Sequence, residues 1–204
     1  MRIILLKCLL HKPGFCVAPQ LVPRQKWLVR SGIRRLCHPA PMRSVGIFWD
    51  LDNLRPHEAD TRGVADSVVA AAASRGHVVA CNAYANGRTL AAPPSPLHPA
   101  SGHAIASGVT AAGFRVHPVP TLPQAADKTL TAAAEQWLAS TPQPTLMLLA
   151  NDQGYRRLIR KATRLGALVV VVSTWRWNIA AHAELLPWTS FHSAWEPPGW
   201  RGTK

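Results

Sequence analysis

Acidic residues are missing from the first 44 positions of this 204-residue chain, which hold nine Lys and Arg (Arg2, Lys7, Lys12, Arg24, Lys26, Arg30, Arg34, Arg35 and Arg43). That imbalance bars a literal reading of the net charge of +13. Residues 45 to 204 hold the other fourteen basic residues and all ten acids, so the body carries only +4. The basic pI therefore says little about a binding face. Cysteine is also scarce: Cys8, Cys16 and Cys37 lie in the leader and Cys81 is alone in the body. Neither a disulfide framework nor a zinc set can be built from that spacing, and Cys81 reads as a small buried hydrophobe in a strand. No apolar run approaches the ~20 residues that cross a bilayer, so no membrane partner is expected.

What the leader does have is an apolar patch, Ile3, Ile4, Leu5, Leu6, Leu9 and Leu10, flanked by Arg2, Lys7 and Lys12. This is the composition of an organellar transit peptide, although serine is limited to Ser31 and Ser44 and Lys7 splits the patch. A secretory signal fits worse, since the apolar core is short and no small-x-small site follows. Met42 lies three residues before the first apolar strand, so an over-extended start is the alternative. The expected setting is a mitochondrion, with a chloroplast, or cytoplasm and nucleus after a start at Met42, as the other readings. The expected organisation is a leader over 1–43, one domain over 44–194 and a disordered tail over 195–204.

The body is organised around Val45 to Asn53. Val45 to Trp49 is an uninterrupted apolar run, the pattern of a strand buried on both faces of a parallel sheet. Asp50, Asp52 and Asn53 follow at its C-terminal end, where open α/β sheets place their ligands. The competing reading is an Asx-type turn that caps the next element. Downstream, the pattern predicts a helix over 61–75, a strand over 77–84, a Pro-rich loop over 86–102 and a short helix over 103–112. It continues with a strand over 114–119, a helix over 124–140, a strand over 145–150, a helix over 155–165 and a strand over 167–172. A short helix near Ile179 to Leu185 and a sixth strand near Ser190 complete it. This alternation predicts a three-layer α/β domain with a mainly parallel sheet of five to six strands. Right-handed crossovers then bring Asp50, Asp127 and Asp152, each at a strand-to-helix junction, to one edge. Three converging carboxylates repel one another unless a cation neutralises them. Mg²⁺ takes such oxygens and leaves positions for a phosphate, the arrangement of metal-assisted phosphodiester hydrolysis. Helix capping is the alternative for Asp127 and Asp152.

Ile47-Phe48-Trp49-Asp50-Leu51-Asp52-Asn53 resembles the opening strand of the NYN domain, a branch of the PIN-like ribonucleases. Pro123-Gln124-Ala125-Ala126-Asp127 is similar to that family's second motif, and Leu148 to Tyr155 to its third. Leu186-Pro187-Trp188 is similar to the closing segment of plant-type members, which suggests a plant or algal organellar protein. The resemblance implies a PIN-like (Rossmannoid) fold and a metal-dependent endoribonuclease acting on single-stranded RNA with Mg²⁺ or Mn²⁺. Asp50, Asp127 and Asp152 match its catalytic metal positions, supported by Asn53 and Asp52. A second acid of the third motif is replaced here by Gly154, so a non-catalytic RNA-binding or scaffold module is the alternative. A haloacid-dehalogenase-type phosphatase fits worse, because Asn53 follows the Asp-x-Asp. In the helix after Asp152, Tyr155, Leu158, Ile159, Ala162 and Leu165 form the expected core face. Arg156, Arg160 and Arg164, beside Arg157 and Lys161, form a basic stripe with no acid between Gln153 and Trp175. That stripe is either an RNA contact or a solvated face, and Trp175 and Trp177 could stack on bases. Residues 1–41 fused to a reporter should carry it to mitochondria or plastids, checked by microscopy. A cytosolic reporter with a mature N-terminus at Met42 would refute the transit-peptide reading.

Overall fold

The computed structural model describes residues 42–56, 60–95, 100–174 and 182–191. The leader up to residue 41, the Trp175 and Trp177 pair and the tail from Trp195 lie outside the described residues. Among the described residues, six strands, β1 (Ser44–Asp50), β2 (His77–Asn86), β3 (Arg115–Val119), β4 (Pro144–Leu149), β5 (Leu168–Ser173) and β6 (Glu184–Pro187), form one sheet in the order β3-β2-β1-β4-β5-β6. Every neighbouring pair is parallel. This is the α/β architecture expected from the alternation of elements. Parallel strands need crossovers, and these put helices on both faces.

Strand periodicity sorts the core into two layers. Val45, Ile47 and Trp49 of β1 face α1 (Thr61–Ala73) and α3 (Gly102–Ala111), packing with Val64, Val68, Ile105 and Val109. Phe48, Leu146, Leu148, Val169 and Val171 face α4 (Ala125–Ser140) and α5 (Arg156–Arg164), packing with Leu130, Leu138, Leu158 and Ile159. The chain steps outward from β1 to β3 under one set of helices, then returns beside β1 as β4 and steps the other way under the second set. β1 and β4 are thus neighbours whose following segments leave toward opposite faces. The crevice this opens beyond their C-terminal ends is the switch point where doubly wound sheets bind ligands.

The structure differs from expectation in three places. The Pro-rich loop contains α2 (Gly87–Ala91), started by Asn86, whose side chain accepts from Thr89 N. The sixth strand lies at Glu184–Pro187 rather than near Ser190, with Leu185 and Leu186 paired to Val171 and Val172, and Trp188–Ser190 is a 3₁₀ turn. The described end of the segment expected as a helix is this strand, because an apolar pair beside a buried parallel strand completes a ladder. Leu165, expected in the core, is the C-cap of α5 and 52% exposed. Both outer strands carry a proline, Pro118 in β3 and Pro187 in β6.

The middle of the sheet is thin by design of the sequence. A Cβ at Gly46 would lie 2.8 Å from the indole ring of Trp137, which also packs on Phe48 at a ring separation of 5.8 Å. Gly46→Ala should therefore cost about 1–3 kcal/mol through overpacking, read by urea denaturation. Adding Trp137→Leu should recover part of that loss.

Candidate active site

Asp50 closes β1 with no exposed surface. Its two oxygens do different work. Oδ1 accepts from the backbone N–H of Asp52 at 3.0 Å and of Asn53 at 3.2 Å, the Asx turn that was the rival reading of the motif. Oδ2 accepts from Asn53 Nδ2 at 2.7 Å and from the Tyr155 hydroxyl at 2.7 Å. The same hydroxyl reaches Asp127 Oδ1 at 2.9 Å. The turn is fixed by Trp49 Nε1 donating to Leu54 O at 2.7 Å and by Leu54 N donating to Asp50 O at 2.9 Å.

Asp127 stands in the first turn of α4, where a negative charge suits the helix dipole. The helix is entered through Gln124, a non-glycine residue at φ 58° with no side-chain cap. Left-handed backbone of this kind costs about 1–2 kcal/mol and tends to gather at functional sites. Tyr155 comes from the turn after β4. It ends the 3₁₀ turn Gln153–Tyr155, 1% exposed, with its ring in the layer beneath α4 and α5. Two helices and one strand end thus converge on a single phenol.

Burial pushes the Asp50 carboxyl up to about 6. The Tyr155 hydrogen bond opposes the rise, the adjacent Asp127 adds to it, and Asn53 opposes it. Tyr155 is raised above its ordinary value, by burial first and by the Asp50 charge next. A phenol has one proton, so it can donate to only one of the two acids at a time. The two carboxyls also hydrogen-bond to each other, which favours a proton held on Asp50.

Asp152 does not join them. Its carboxylate accepts from Gly154 N at 2.7 Å and caps the 3₁₀ turn. Among the described residues, no group of three or more His, Cys, Asp or Glu is placed to hold a metal ion. The acids that meet among the described residues are therefore Asp50 and Asp127, while Asp152 Oδ1 is engaged in its own turn. Gly154 lies outside the left-handed region, and a Cβ there would meet only Asp152, at 3.3 Å from Oδ1. Asp52 turns away from the pair, accepting from Asn86 N at 3.1 Å and Asn86 Nδ2 at 2.9 Å. It thereby ties the end of β1 to the end of β2. Half-buried Arg55 has its pKa lowered by burial, an effect the Asp52 charge opposes.

Sequence reasoning missed Tyr155 and Asn151. Asn151 Oδ1 accepts from Ser173 Oγ at 2.8 Å and Thr174 N at 2.8 Å, while its Nδ2 donates to Asn53 O at 3.2 Å. One amide thus ties the end of β5 to the Asp50 turn. A buried tyrosine needs a partner for its hydroxyl, and a tyrosine at the mouth of an acidic site was the available signal.

The basic stripe is uneven. Arg160 and Arg164 are exposed and Arg156 is half-buried. Lys161 is paired with Glu135 of α4 at 2.6 Å. An acid distant in sequence thus pairs with one of the five basic residues. No helix among the described residues is long and apolar enough to cross a membrane.

The sequence profile of the NYN domain matches residues 44–185, and the chain belongs to the NYN domain family, with the PIN-like nuclease fold. The crystal structure of a Vibrio parahaemolyticus protein of unknown function is similar in fold, with a TM-score of 0.53 at 16% identity, over 72% of this chain and 93% of that one. No curated protein matches in sequence. Nucleases of the NYN and PIN-like kind generally use divalent metals. The donor set fits one such ion, since Mg²⁺ is commonly held by one or two carboxylates with water completing the shell, and Asp50 with Asp127 supplies them.

The pH dependence of stability tests the buried acid directly. The folded-state pKa of Asp50, about 6, lies above the ordinary 3.8, so the unfolded chain gives up its proton first. Folding stability in EDTA should fall as pH rises from about 4 to about 6, by up to about 3 kcal/mol, and then level off. Asp50→Asn should flatten that window in denaturant titrations across pH.

Proposed function

We propose that this protein is a metal-dependent endoribonuclease acting on single-stranded RNA. The observation that carries the reading is the meeting of Asp50 and Asp127 at the switch point of an NYN fold. In this reading the two carboxylates hold a Mg²⁺ or Mn²⁺ ion. When bound, the ion polarises a phosphoryl oxygen and lowers the pKa of water. Asn53 orients Asp50, and the Asn151 amide holds the Asp50 turn at a fixed distance from β5. Exposed Arg160 and Arg164 on α5 offer phosphate contacts. The acid-free basic leader supports a mitochondrial setting.

A second reading, an RNA-binding relative without catalysis, is favoured by Gly154 in place of an acid and by the engagement of Asp152 as a cap. Two measurements separate them. Purified protein should cleave single-stranded RNA in Mn²⁺ and not in EDTA, and Asp50→Asn should abolish cleavage. Binding without cleavage would establish the second reading. In either case Arg160→Gln with Arg164→Gln should flatten the log–log salt dependence of RNA binding by about 1.4, at about 0.7 per phosphate contact. An unchanged slope would return the stripe to a solvated face.

A further inference from the structure

Tyr155 has no place in the chemistry above, yet its hydroxyl reaches both acids, which also lie within hydrogen-bonding reach of each other. The oxygens it engages, Asp50 Oδ2 and Asp127 Oδ1, are the inward pair, since Asp50 Oδ1 is committed to the Asx turn. A cation bridging Asp50 Oδ2 and Asp127 Oδ1 would compete for the lone pairs that now face the phenol. The ring is buried against Leu158, Ile159 and Ala162, so the hydroxyl cannot swing out to solvent. Asp127, half-buried on the first turn of α4, has the freer side chain.

We propose that the Tyr155 hydroxyl is an internal surrogate for the cation. It latches Asp50 to Asp127 in the metal-free protein and gives up their oxygens when a divalent ion binds. The proposal rests on the reading of this pair as a metal site. A single O–H shared between the two acids satisfies them one at a time while no ion is present, and an ion that takes the same lone pairs displaces it. Every hydrogen bond it makes there weakens apparent metal affinity and favours a site that stays closed until the ion is abundant. Opening the latch turns the Asp127 carboxylate rather than the tyrosine ring.

Two experiments test it on the whole chain. Tyr155→Phe keeps the ring and removes the hydroxyl. Calorimetric titration with MnCl₂ should show roughly tenfold or tighter binding than wild type, the equivalent of one charge-assisted hydrogen bond released. The variant should also melt at a lower temperature in EDTA. The chain has only two tyrosines, Tyr84 and Tyr155, so 3-fluorotyrosine labelling gives two ¹⁹F signals. MgCl₂ should move that of Tyr155 and leave that of Tyr84. Equal or weaker Mn²⁺ binding by the variant, or a Tyr155 signal that stays fixed at saturating Mg²⁺, would overturn the latch while sparing the metal site. Absence of binding in both proteins would overturn the latch and the metal-dependent reading together. If Tyr155→Phe does not fold, the fluorine titration of the wild-type side chain decides alone.

Discussion

A carboxylate with no exposed surface must be held by donors, and Asp50 sets the terms on which the surrounding chain ends are built. Leaving such a group unpaired in the interior costs several kcal/mol. Four donors answer it: two backbone N–H groups of its own turn, the Asn53 amide and the Tyr155 hydroxyl. They come from three different constraints. The Asx turn follows from the local sequence, the amide from a residue three positions on, and the phenol from a helix start 105 residues away. A change at any of these elements is felt at the same two oxygens.

The polar ties spread from that point along the strand ends. Asp52 joins the end of β1 to Asn86 at the end of β2, and Asn86 in turn starts α2. Asn151 joins the β1 turn to Ser173 and Thr174 at the end of β5. The sheet therefore has an apolar interior along its strands and a hydrogen-bonded rim across one end. Hydrophobic layers determine which strands lie together, while the rim determines where the side chains at their ends can point. Asp50 and Asp127 are brought together by the layers, and the Tyr155 hydroxyl lies between them.

Much of this was legible in the amino acids. The run Val45 to Trp49, the helix over Ala125 to Ser140 and the alternation around them carry clear periodicity, and parallel topology follows from connection lengths. Asp50 and Asp127 are visible because their positions depend only on where strands and helices end. Tyr155 was not visible, because helical spacing assigns it to the core and says nothing of an oxygen at the far end of the ring. The cap that Asp152 makes on its own turn was the other reading of its position, and a junction position cannot distinguish a cap from a ligand. The pairing of Lys161 with Glu135 was hidden for another reason: the two helices meet only in the fold. The helix after Asn86 looked like a turn because Asn-Gly serves both purposes, as a hairpin dipeptide and as an N-cap.

The prolines of the two outer strands have a consequence for assembly. A parallel sheet with open edges offers unpaired N–H and C=O groups on which another chain can add a strand. Pro118 removes a donor from one edge and Pro187 from the other, and β3 and β6 are five and four residues long. Growth of the sheet by strand addition, whether with a second copy or with an extended peptide, is disfavoured at both sides. The helical faces and the polar rim at the strand ends, where the acid pair lies, carry no such block.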